Sequence, residues 1–299
     1  MIPRAHVTHW RARAPWPMDA QVEQDLVLSR ALVELFSDPA ITATLTFRGG
    51  TALHKLYFEA PGRYSEDIDL VQQAAGPIGP IFDAVRARLE PWLGEARSKQ
   101  GEGRASLVYR FETTALPVQR VRLKVEINTR EHFTVLGARL VPFAVDSPWF
   151  TGTAQIATFG IEELLGTKLR ALYQRKKGRD LYDLGSALSS LEIADAMLMS
   201  CFDRYLAHSG STVTRAAFEA NLEDKLADAL PISGAAEPRP LHRLVGWLHR
   251  SACPCAAPAL PCSTRPASRD RCRAPARSPR EPDARLQPPY SFRPSLVLQ

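Results

Sequence analysis

FRGGTALHKL at residues 47–56 and RYSEDIDL at residues 63–70 decide the reading of this chain. Leu45, Thr46 and Phe47 form a buried-strand pattern that runs into Gly49, Gly50 and Thr51, after which Leu53, Leu56 and Tyr57 recur at helical spacing. A strand, a tight glycine turn and a helix N-terminus leave backbone N–H groups aimed outward, where the helix dipole favours an anion. Glycine lets a phosphate approach that backbone closely. The same pattern also makes an ordinary strand-to-helix turn. It is not a P-loop, because the four-residue spacing and the Gly-Lys-Ser/Thr ending are missing.

Asp67 and Asp69 sit two positions apart, with Ile68, Leu70 and Val71 as apolar partners, so a short strand places both carboxylates on one face. Two like charges about 4 Å apart repel by roughly 4 kcal/mol at an effective dielectric near 20. A cation between them removes that cost, and magnesium, held by one or two carboxylates plus substrate phosphates, suits the pair. Two solvated aspartates at a strand end are the plain alternative. A third acid stands in VRLKVEIN, residues 121–128, where Glu126 lies on the polar face of an alternating strand. Two-metal phosphoryl-transfer sites draw carboxylates from adjacent strands, which makes Glu126 the candidate on the nucleophile side.

In GIEELLGTKLRALYQRKKGRDLYDL, residues 160–184, Ile161, Leu164, Leu165 and Leu172 trace an apolar helical stripe, and Lys168 falls on it. An inward ammonium needs an anion, which a triphosphate supplies, unless its stem covers apolar surface and its head reaches water. Gly178 breaks this helix and Asp180 opens another. Asp180 could cap that helix, orient Lys168 or contact a substrate hydroxyl. Arg175, Lys176, Lys177 and Arg179 cluster beside the first helix end. They could meet RNA or triphosphate phosphates, or simply complement the helix dipole.

Taken in order, these pieces resemble the AbiEii/AbiGii-type toxin family of nucleotidyltransferases, a branch of the DNA polymerase β superfold that includes the MenT toxins. The resemblance spans roughly residues 20 to 230. It rests on Gly49-Gly50-Thr51-Ala52-Leu53 with Lys55, Arg63-Tyr64-Ser65 before Asp67-Ile68-Asp69-Leu70, Glu126, and Lys168-Leu169 followed by Arg179-Asp180-Leu181-Tyr182-Asp183-Leu184. It implies transfer of a nucleoside monophosphate from an NTP to an acceptor, with pyrophosphate released and Mg2+ (or Mn2+) as the metal. In MenT-like relatives the acceptor is the 3′ end of tRNA. Carried over by position, Asp67, Asp69 and Glu126 are the metal ligands, and with Lys168 and Asp180 they form the catalytic set. Gly49, Gly50, Thr51, Lys55, Arg63, Ser65 and Lys168 would hold the nucleotide. A separately encoded antitoxin is expected as partner. Two other functions compete: transfer to a protein or small-molecule hydroxyl, and a non-catalytic remnant that binds an antitoxin.

Sixteen residues separate Gly50 from Asp67, which a helix from Thr51 to about Glu59 accounts for and which argues against small aminoglycoside-type transferases. The expected fold is α+β: a polymerase β-type domain over residues 1–150 with a mixed sheet flanked by helices, then a helical domain over 151–250. Helices are expected near 19–36, 81–93, 194–207 and 212–230, with an antiparallel strand pair near 105–113 and 118–128 and a β stretch near 139–145. Residues 251–299 hold 10 of the 24 prolines and 4 of the 5 cysteines without any period, the composition of a disordered tail. It is also what out-of-frame translation of a G·C-rich gene produces. Eight arginines against three acids give the tail +5, so of the net charge of +6 only +1 belongs to residues 1–250. RNA binding by the folded part must therefore come from local patches.

The tail cysteines, Cys253, Cys255, Cys262 and Cys272, fit no paired zinc pattern, and Cys201 reads as a buried thiol. MIPRAHVTHWRARAPWP is broken by charges and prolines, unlike a signal peptide, and no 18-residue apolar run exists. A cytoplasmic protein without membrane contact is expected.

Overall fold

Asp38 accepts a hydrogen bond from the Ala40 N–H at 2.8 Å and Pro39 fixes the first helical φ, so a short helix ends just where β1 must begin. That junction sets the centre of a computed structural model describing residues 2–114, 116–175 and 178–229. In chain order the elements are α1 (Arg4–Trp10), α2 (Asp19–Phe36), α3 (Pro39–Thr44), β1 (Leu45–Arg48), α4 (Gly49–Leu56), β2 (Asp67–Gln72), α5 (Gly79–Leu93), β3 (Arg97–Gly101), β4 (Arg104–Glu112), β5 (Arg120–Asn128), β6 (Ala138–Asp146), β7 (Thr151–Phe159), α6 (Ile161–Gln174), α7 (Gly178–Ser190), α8 (Asp195–His208) and α9 (Arg215–Ala229).

Seven strands form one mixed sheet in the order β3-β4-β5-β2-β1-β7-β6. β2 pairs with β1 antiparallel and with β5 parallel, while β7 lies parallel to β1. The antiparallel β4–β5 pair is the one expected from the alternating sequence. Strands β3 and β7 were not legible in advance: β3 is short and polar throughout, and β7 alternates only in its exposed first half. Because 151–159 joins the sheet through β1 and β6, the helical segment starts at Ile161 and not at residue 151. The 251–299 tail lies outside the described residues.

Two apolar clusters flank the site. In the larger, Leu26, Leu28, Leu32 and Leu35 of α2 are fully buried with Phe47, Ile68, Leu107 and Val125 of the sheet. Each such side chain contributes about 1.5–3 kcal/mol through burial. α2 is buried on more than one face, since polar Glu23, Gln24 and Asp25 are enclosed too. Each has partners: Glu23 accepts from the Thr114 N–H, Gln24 donates to the Arg122 carbonyl, and Asp25 accepts from the Trp10 and Trp16 indoles. The smaller cluster joins Leu53 of α4 to Leu165, Leu169, Leu184, Leu198 and Phe202, so helices α6–α8 are anchored directly to the glycine-turn helix. Gly166 permits this packing, as a Cβ there would lie 2.8 Å from the Cβ of Cys201. Cys201 itself is buried, which pushes its thiol up to about 12.

Candidate active site

β1 ends at Arg48, and Gly49 turns the chain into α4 with φ +85°, a backbone that L-residues with a Cβ rarely adopt. The turn touches the acidic strand: a Cβ on Gly49 would stand 2.4 Å from Asp69 Oδ2. Gly49→Ala is therefore expected to cost about 1–3 kcal/mol of stability from strained backbone. Displacing the Asp69 carboxylate should also slow nucleotidyl transfer about a hundredfold. Chemical denaturation and single-turnover kinetics measure the two effects, and wild-type rates in the variant would contradict this placement.

Strand register aligns the carboxylates. Arg48 pairs with Asp69 across β1–β2, and Asp69 pairs with Glu126 across β2–β5, so the three share one row. Asp67 lies on the same face, opposite Lys124. Burial raises the Asp67 and Asp69 carboxyls, and neighbouring acids raise them further: Asp69 acts on Asp67 and Glu126 on Asp69. Asp67 Oδ1 is buried without a hydrogen-bond partner among the described residues. An orphaned carboxylate oxygen beside a second aspartate fits a hard divalent cation. The third acid is turned aside: Glu126 is ion-paired with Lys124, and among the described residues no three His, Cys, Asp or Glu side chains gather as a metal cluster.

A cavity of about 690 Å³ opens over this row, a size suited to a nucleotide-sized ligand. Its lining brings together Gly49, Gly50, Arg63, Ser65, Asp67, Asp69, Glu126, Lys168 and Asp180, the residues that the sequence singled out. Nine lysines and arginines face five carboxylates there, which favours a polyanion.

Two expected nucleotide contacts lie elsewhere. Lys55 points to the opposite side of α4, donating to Asp25 Oδ1 at 2.7 Å and Ser29 Oγ at 3.0 Å, because Asp25 is buried and needs a cation. Thr51 is enclosed and pins the turn to β2, donating to the Asp67 carbonyl at 2.6 Å and sharing a 2.7 Å bond with Ser65 Oγ.

Lys168 is buried as its stripe position requires, yet its partner is Asp183, whose Oδ2 accepts at 2.6 Å. Arg63 grips the same carboxylate with two 2.7 Å bonds, and His54 Nε2 lies 2.9 Å from Oδ1. Burial alone would raise the Asp183 carboxyl, but bonds from Arg63 and His54 and the charge of Lys168 outweigh it and hold it far below the usual carboxylate range. Asp180 does not orient Lys168; it takes a two-pronged bond from Arg175 at 2.7 and 2.9 Å. Arg179 lines the cavity, while Lys176 and Lys177 lie outside the described residues.

Sequence reasoning missed five participants. Arg48 and Arg170 reach the cavity and are both held by Glu131, at 2.7 and 2.6 Å. Burial would raise Glu131, but the two guanidiniums lower it. His54 and Asp183 were in quoted motifs without a role. Asp183 was findable, since it lies beside Leu184 on the buried face of α7, where a lone carboxylate demands cations. Glu131 had no sequence signal, because a loop residue gains meaning only from what folds against it.

The family model "Nucleotidyl transferase AbiEii toxin, Type IV TA system" matches residues 30–237. Among curated proteins none matches. Solved structures share the fold. MenT4, a nucleotidyltransferase toxin from Mycobacterium tuberculosis H37Rv, is similar at 18% identity over 84% of this chain and 99% of its own, with a TM-score of 0.52. JHP933 from Helicobacter pylori is similar at 16% identity over 78% of this chain and 92% of its own, with a TM-score of 0.50. With more than two thirds of its length matched, glycine turn and both acidic strands included, the chain belongs to the AbiEii family and is a nucleotidyltransferase of toxin–antitoxin type.

Proposed function

We propose that this toxin transfers a nucleoside monophosphate from an NTP to the 3′ end of tRNA in a magnesium-dependent reaction, blocking translation in the cytoplasm. The observation that carries the reading is the shared row of Arg48, Asp69 and Glu126, with Asp67 beside it and the Gly49 turn against Asp69. In the reaction the acceptor hydroxyl oxygen bonds to the α-phosphorus while the bond to the bridging β-phosphate oxygen breaks, and pyrophosphate leaves. Asp67 and Asp69 would hold Mg2+ or Mn2+, which when bound supplies charge neutralisation at the phosphates. The backbone at Gly49 and Gly50 faces the triphosphate, and Arg63 and Lys168 present positive charge to it. Glu126, released from Lys124, would orient the acceptor hydroxyl. Glu131 keeps Arg48 and Arg170 aimed into the cavity, so their charges need no reorganisation as charge develops.

The antitoxin expected from the family pairs with this activity, and no helix of the described residues is long and apolar enough to cross a membrane. Incubation with each α-labelled NTP, magnesium and total RNA is the test. Label in tRNA with stoichiometric pyrophosphate is the expected result. Label in protein or in a small-molecule fraction would move the acceptor to another class, and absence of label with every NTP would leave only a binding protein.

A further inference from the structure

Directly paired residues of neighbouring strands point to the same face of a sheet. The row through the site therefore continues outward as Asp69, Glu126, Ser106 and Lys99, across β2, β5, β4 and β3. The next row runs Asp67, Lys124, Val108, Arg97, and a third sets Arg122 beside Arg110. Lys99 stands three strands from Asp69, about 14 Å across the sheet. One surface thus leads from the carboxylates to the edge strand.

That surface is basic and largely unneutralised. Arg97, Lys99 and Arg110 are exposed, and none of the three has an ion pair among the described residues. Of the acids on the same face, Glu126 is bound by Lys124 and Glu112 by Arg120. Cations on an edge strand also discourage edge-to-edge pairing. Arg110 lies past Val108, where β3 no longer covers β4 and β4 is itself the edge, but Arg122, paired with it a strand further in on β5, is not accounted for by that purpose. Among the described residues, the β3, β4 and β5 positions on this face carry no aromatic side chain on which a base could stack, because Tyr109 and Phe111 belong to the alternate set of β4 positions. It also lacks the aromatic anchors that give a protein interface its energy. Bare cations in rows recognise a phosphate chain without reading its bases.

We propose that the β3–β4–β5 face is the track for the phosphate backbone of the RNA acceptor, whose single-stranded end crosses Arg97, Lys99 and Arg110 to bring its terminal hydroxyl to Asp69 and Glu126. This rests on the tRNA reading above and locates the acceptor within it. The track is independent of sequence, so binding is expected to be salt-dependent and tolerant of different tRNAs.

The test compares the full-length protein with Arg97→Ala/Lys99→Ala/Arg110→Ala and with the charge-preserving Arg97→Lys/Lys99→Arg/Arg110→Lys. Total tRNA is the probe, with Kd followed across a salt series and KM and kcat taken from labelling. In the alanine variant Kd and KM for tRNA should rise at least about tenfold, and the salt slope should fall by about 2, near 0.7 per lost contact. Melting shifts produced by NTP should match wild type, as should the charge-preserving variant throughout. Unchanged KM and slope in an alanine variant, while wild type labels tRNA, would overturn the track alone. Wild type that labels another acceptor, or nothing, would overturn the tRNA reading and the track with it. A variant that loses affinity for a protein partner while still binding tRNA normally would assign the face to that protein instead.

Discussion

Asp69→Asn should lower nucleotidyl transfer about a thousandfold or more while the protein remains folded. Charge stabilisation at the transferring phosphate is worth several kcal/mol, and each 1.36 kcal/mol is about tenfold in rate. The fold should tolerate the change because asparagine keeps the shape and relieves a cost: Asp69 is raised by burial and by Glu126, and it sits beside Asp67 on one strand face. In metal-free buffer the variant should melt at or above the wild-type temperature. Added magnesium should raise the melting temperature of wild type and leave the variant unmoved, since only a state that binds the ion is stabilised by it. Equal magnesium stabilisation in both proteins would remove Asp69 from the metal site, whatever the activity.

Asp183→Asn should have the largest effect on stability. Its carboxylate is fully buried and joins Arg63, His54 and Lys168, so it ties the glycine-turn helix and the following loop to α6 and α7. Removing one partner of a buried ionic cluster costs about 3–5 kcal/mol, because the remaining charges stay desolvated without compensation. For a folded region of this size that is a fall of roughly 10 °C in melting temperature. Transfer should drop as well, since Lys168 and Arg63 lose the carboxylate that aims them. The pH dependence has a definite sign. A depressed folded pKa gives stability that is fully present above the unfolded aspartate value of 3.8 and is lost as pH falls toward the lower folded value. The gap between wild type and Asp183→Asn should therefore stay constant from neutral pH down to about 4 and narrow only in stronger acid. In a double-mutant cycle, adding Lys168→Met should recover part of the loss. Strict additivity would show that the two side chains do not depend on each other.

Local pattern was enough where chemistry and backbone are encoded in adjacent residues. The glycine pair after an apolar strand, the Asp-x-Asp alternation and the i, i+3, i+4 stripe placing Lys168 inward all follow from the periods of strand and helix. Strands β4, β5 and β6 and helices α2, α5, α6, α7, α8 and α9 were readable for the same reason. Lys55 misled because helical spacing puts it in the turn motif, while the side chain belongs to whichever neighbour needs a cation most. Asp25, brought in by α2 from thirty residues away, is that neighbour. Of the readings of Asp180, the one that has it orient Lys168 fails similarly: three residues, nearly one helical turn, separate it from Asp183, and only packing against α6 determines which of the two meets Lys168.

By itself, then, the amino-acid sequence determined which chemical groups exist, which helices and strands carry them and which face each occupies, because those depend on covalent spacing and short-range sterics. The tertiary structure alone decided which groups meet. Register across β1, β2 and β5 put Arg48, Asp69 and Glu126 in one row, Glu131 gathered two arginines, and Asp183 claimed three basic partners. Pairing of buried charge is settled by distance and desolvation, and neither quantity exists until distant segments have folded together.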